Sequence, residues 1–135
     1  MKLELKHIVP YPDLCIQSNH SGKELRIAEL LGIDKVNGVH IGDKNQDYWT
    51  SINFIKPILY PLDLTKPIWF EGKEIIPIEE LKLFIDVDRE FVEGSIDYTE
   101  YGVVQLLIKW KIDVFGLIPK DLAISVHDVD PVIYK

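Results

Sequence analysis

A chain of 135 residues, 47% of them hydrophobic, holds enough apolar material for one core without metals or cross-links, which predicts a single domain over residues 1–135. A charge or a proline interrupts every apolar run long before the roughly twenty residues a membrane-crossing helix needs, and the alternation in Met1-Lys2-Leu3-Glu4-Leu5-Lys6-His7 is unlike a secretory leader. The net charge of −7 is carried between Glu71 and Glu100, where ten acidic residues stand against three basic ones; with the remainder balanced there is no basic stripe, and nucleic-acid binding is disfavoured.

Turn formers recur every several residues up to about residue 76, and short strands fit between them: Leu14 to Gln17, Glu24 to Leu30, Val39 to Ile41, Ile52 to Leu59, Ile68 to Phe70 and Glu74 to Ile76. The last two flank Glu71-Gly72-Lys73, where glycine can take the positive φ of a tight hairpin turn. Pro57 and Pro61 remove ladder donors, which places their apolar stretch at a sheet edge or between elements. From Pro77 the period changes. Proline at a first helical position, Glu79-Glu80 behind it and Ile78, Leu81 and Ile85 on one face predict a helix.

A longer helix is predicted from Asp97 to Phe115, with Val103, Leu107, Trp110 and Val114 at helical spacing and Gly116 as its stop. Residues 108–114 also alternate strictly, the pattern of a half-buried strand, and the sequence leaves that choice open. Leu122 to Val126 follows as a last strand, and Asp128-Val129-Asp130-Pro131 turns into the tail. The expected class is α+β: a small, mainly antiparallel sheet from the N-terminal half with two helices in the C-terminal half.

Three stretches, Leu5 to Tyr11, Lys56 to Thr65, and Trp110 to Ile118 followed by Leu122-Ala123-Ile124, together resemble a group of small uncharacterised proteins encoded by phages and prophages of Bacteroidetes. In that family's pattern the position of Lys111 is usually His and that of Ile112 usually Phe, so a reaction needing the imidazole is not expected here. The resemblance implies a phage or mobile-element origin and a helix in the C-terminal region, and it supplies no site.

The residues that could carry chemistry are sparse. Asp86-Val87-Asp88-Arg89-Glu90 alternates carboxylates, but Phe91 and Asp97 stand where a calcium loop needs its glycine and its glutamate. His127-Asp128-Val129-Asp130 lacks a second cluster to complete a coordination sphere. A nuclease arrangement of Asp13 with Glu71-Gly72-Lys73 conflicts with the hairpin turn expected there. Cys15 cannot form an internal disulfide, and neither it nor His7, His20, His40 or His127 sits in a nucleophile signature. No catalytic residue, metal or cofactor is therefore assigned.

The polar stretch Gly42 to Thr50 ends in Tyr48-Trp49, and aromatics at the end of a polar loop are common binding anchors. Tyr48, Trp49, Lys44 and Asp47 are the candidate partner-binding residues, against the plainer possibility that the aromatics start the next strand and pack on the core. An anionic ligand would want Lys44, Lys109 or Lys111 nearby, and the acidic Glu71–Glu100 segment could face a basic partner. The expectation is a cytoplasmic, non-enzymatic phage or prophage accessory protein that binds a host protein or a small ligand. A small metal-dependent hydrolase using carboxylates such as Asp86, Asp88 and Asp128, and a self-assembling subunit, are the alternatives.

Overall fold

Period-two alternation in the first half builds a sheet, and the later helical periods lay short helices beside it. The computed structural model describes residues 2–18, 26–33, 38–42, 47–83, 89–94 and 101–135. In chain order come α1 (Leu5–Ile8), β1 (Cys15–Ser18), β2 (Arg26–Ile33), β3 (Gly38–Gly42), β4 (Asp47–Ser51), a 3-10 turn (Ile52–Phe54) and β5 (Ile55–Leu59). The hairpin β6 (Ile68–Phe70) and β7 (Lys73–Ile75) follows, then α2 (Pro77–Lys82), α3 (Arg89–Gly94), α4 (Tyr101–Lys109), β8 (Ile124–Ser125) and α5 (Val126–Val129). The fold is α+β.

The larger sheet has the order β4-β3-β2-β1-β5-β8, antiparallel except where β8 joins β5 in parallel. Ile16 on β1 faces Ala28 on β2, and Val39 and Ile41 alternate with His40 on β3, so one face carries buried apolar residues. That inner face joins Leu81, Val92, Val103 and Leu107 from the helices in a single cluster. Val103 and Leu107, four residues apart, form the buried stripe of α4. Among the described residues no buried side-chain nitrogen or oxygen lacks a hydrogen-bond partner.

Several expectations change. The stretch from Ile52 splits into a 3-10 turn, capped by the Ser51 hydroxyl accepting from Asn53 N–H at 3.2 Å, and β5. β5 is not the edge, because β8 lies beyond it, yet β8 pairs with Ile58 and Leu59 alone. Pro57 is tolerated because its partner Ile16 sits one step from Cys15, whose N–H points towards β5; the Ile16–Pro57 pair thus occupies a non-hydrogen-bonded position of the antiparallel ladder. The Glu71-Gly72 hairpin is present, with φ of 50° and 79° at its two turn residues.

The long helix ends at Lys109, well short of Phe115, and residues 97–100 of the expected span lie outside the described ones. A Schellman motif closes it: Ile112 N–H donates to Leu107 C=O at 3.0 Å and Lys111 N–H to Ile108 C=O at 2.9 Å. Lys111 takes the left-handed position at φ 61°, where glycine is usual, while Leu107 and Ile112 supply the accompanying apolar contact. Past the cap, Ile112 forms a parallel bridge with Tyr60, so 108–114 is neither one helix nor one strand. Gly116, expected to end the helix, holds φ 68° in the following turn instead. The last strand shortens to β8 because Ser125 caps α5, its hydroxyl accepting from His127 N–H at 3.2 Å.

Candidate functional site

The polar stretch from Gly42 to Thr50 is not a loop throughout. Asp47–Ser51 is β4, paired residue by residue with β3: His40 with Trp49, Ile41 with Tyr48 and Gly42 with Asp47. The aromatics therefore belong to a strand of their own, separate from β5. Alternation decides their faces. Val39 and Thr50 are buried together, so His40, Trp49 and Asp47 emerge on the outer face.

There the three side chains assemble. The Trp49 indole lies almost parallel on the His40 imidazole, with ring centroids 4.9 Å apart and 12° between planes. His40 Nε2 donates to Asp47 Oδ2 at 2.8 Å, which fixes the imidazole from its far edge. Trp49 nevertheless stays 53% exposed. On the same face of β2, Ile27 and Leu31 are 41% and 52% exposed. A bulge between Leu30 and Gly32 shifts the β2–β3 register and turns Leu31 outward. Leu31 then lies over Gly42, where a Cβ would come within 2.8 Å of its Cδ1 methyl. Glycine at 42 makes room for that leucine.

Of the residues expected from sequence, Asp47 and Trp49 meet. Tyr48 is placed on β4 by its backbone alone, and Lys44 lies outside the described residues. Lys109 and Lys111 are engaged elsewhere, their amines 5.5 Å over the Phe70 ring and 4.7 Å over the Tyr134 ring. His40 was not singled out from sequence; its signal was the alternation Val39-His40-Ile41, which puts a lone imidazole on the face opposite two buried aliphatics.

Comparison with protein-family models, curated proteins and solved structures finds no match.

The other candidates disperse. Asp86 and Asp88 lie outside the described residues, as does His20. Asp130 accepts from Val132 N–H at 3.1 Å, closing the turn after α5. Glu71 and Lys73 project from their hairpin into solvent. Burial pushes the half-buried Cys15 thiol above its ordinary pKa, with the Glu29 charge adding to that and Lys111 opposing it, so it is a poor nucleophile. Among the described residues no three His, Cys, Asp or Glu side chains gather where a metal could bind. A shallow pocket of about 360 Å³ lies beside Lys2–Lys6 and Ile52-Asn53, away from the Trp49 stack. No helix among the described residues is long and apolar enough to cross a membrane.

Proposed function

We propose that this chain is a non-enzymatic binding protein, an accessory factor of phage or prophage type, that holds a host protein through the outer face of β2, β3 and β4 with Trp49 as its anchor. One observation carries this reading: an indole more than half exposed is held flat on an imidazole that Asp47 fixes in turn. A tryptophan left more than half in solvent gains little for the fold. Held rigid before a partner arrives, it loses little entropy on binding, which is how aromatic anchors come to dominate interfaces. The bulge that turns Leu31 outward beside it supports the same reading.

Of the two ligand classes expected from sequence, a protein suits this surface better. Small-molecule sites are concave and enclose most of the ligand, whereas this is one face of a sheet. The resemblance to phage and prophage proteins is what suggests that the partner belongs to a host.

Native mass spectrometry of tagged protein recovered from host lysate tests the proposal. The expected result is a co-purifying chain on the wild type that is lost from Trp49→Ala and retained by Trp49→Phe, with all three proteins folded. A bare 15.6 kDa monomer in every case would remove the binding reading.

A further inference from the structure

Resting on that reading, we infer that the partner element is an extended segment with alternating apolar and basic side chains, added as a strand alongside β4. Three observations converge on this occupant. The first is position: among the described residues β4 ends the sheet, and its sequence Asp-Tyr-Trp-Thr-Ser has neither the lysine nor the proline with which natural edges discourage pairing. Aromatic and β-branched residues instead favour an extended neighbour.

The second is charge. On the outer face Glu29 pairs across to Gly42 and Gly42 to Asp47, so two carboxylates share one row with the Leu31 methyl groups between them. Glu29 is exposed, and the Asp47 side chain is 65% exposed despite its bond to His40. Lys56, on the same face opposite Gln17, is taken up by Asp121 at 3.0 Å rather than by these carboxylates. A guanidinium reaching Asp47 would lie beside the Trp49 ring, where cation–π attraction and a charge-assisted hydrogen bond act together.

The third is size. Three apolar side chains, Ile27, Leu31 and Trp49, each 41–53% exposed, offer on the order of a few hundred Å². A stable protein–protein interface covers about 800 Å² per partner, so the patch falls short of a dimer face. Strand addition fits better, because main-chain hydrogen bonds to β4 supply affinity that a small apolar patch cannot, while alternate side chains reach Trp49 and Asp47.

The probes are two synthetic nonapeptides of equal length, one alternating Arg and Val, the other Glu and Val, titrated into ¹⁵N-labelled full-length protein. The basic peptide should shift the backbone amides of Asp47–Ser51 and the Trp49 indole N–H, and its Kd should rise at least tenfold in Trp49→Ala and in Asp47→Asn. Comparable affinity for the acidic peptide would overturn the inference. So would shifts confined to the exposed carboxylates of α2 with unchanged affinity in both variants, or a wild-type mass of twice the monomer's that Trp49→Ala reduces to one. A Trp49-dependent partner from lysate combined with no peptide response at β4 would overturn this occupant and leave the binding reading standing; loss of both would end both.

Discussion

The seam where the two ends of the chain meet and the outer face of the β3–β4 hairpin treat their polar groups in opposite ways. At the seam each one is spent on backbone. The Tyr11 hydroxyl donates to Ile112 C=O at 2.7 Å and accepts from Val114 N–H at 3.2 Å, across a separation of about a hundred residues. The Tyr134 hydroxyl accepts from Cys15 N–H at 2.9 Å and donates to Ile58 C=O at 2.6 Å, standing where β1 and β5 would otherwise bond directly. Asp113, 2% exposed, accepts from Leu117 and Ile118 N–H at 2.9 and 2.8 Å. On the hairpin, His40 and Asp47 hold each other and an exposed indole. Groups at the seam are committed to the fold, and those on the hairpin are arranged towards solvent.

If that contrast is real, mutations at the seam cost stability in proportion to the backbone groups they orphan. Asp113→Ala should have the largest effect, about 3 kcal/mol, since it strands one buried and one partly buried N–H group at once. A loss under about 1 kcal/mol in urea unfolding would show that the 114–121 turn re-forms its bonds without the carboxylate. Tyr134→Phe should cost less, about 1 kcal/mol, because Cys15 N–H and Ile58 C=O already face each other and can close partway.

The seam also carries a pH dependence that the hairpin comparison can be set against. His7 is buried with its ring 5.6 Å from that of Phe115, and its Nδ1 accepts Glu4 N–H at 3.0 Å, a bond that requires the unprotonated nitrogen. Burial holds its pKa below the ordinary 6.5, helped by the charges of Lys6 and Lys120 and opposed by Glu4. As pH falls through about 6.5 the unfolded chain therefore binds the proton first. Stability should decline from there until the folded pKa is reached, and be unaffected above about 6.5. Urea midpoints at pH 7.5 and 5.8 measure this, and His7→Asn should flatten the difference.

How much of this was legible differs between the two regions for a physical reason. The β6–β7 hairpin and the start of α2 were readable because glycine at a turn and proline at a first helical position act through their own backbone. Lys111 was not, since lysine normally avoids φ 61°; tertiary contacts hold it there, namely the Ile112 bridge to Tyr60 and the packing of its amine over Tyr134. The helix therefore ended before Gly116, the residue whose local preference pointed to a stop. β4 was hidden by composition, because polar residues at one end masked a five-residue strand whose alternation begins at Asp47. Tyr48-Trp49 was visible as a feature, but the His40 beneath it needed a register that no local pattern supplies.

The smallest expected effect decides the most. Trp49→Ala removes a cross-strand stack on an exposed face, an interaction worth no more than about 1 kcal/mol. Its urea midpoint should fall far less than that of Asp113→Ala. His40→Ala should fall no further, since without the imidazole the indole loses its platform but the β3–β4 ladder keeps its pairing. A cost above about 2 kcal/mol for either would mean that the stack holds the hairpin to the sheet and is part of the fold after all. Near-neutral stability combined with a lost partner would instead separate the two regions cleanly, because a residue dispensable to folding yet stacked on an imidazole that Asp47 fixes has its use outside the molecule.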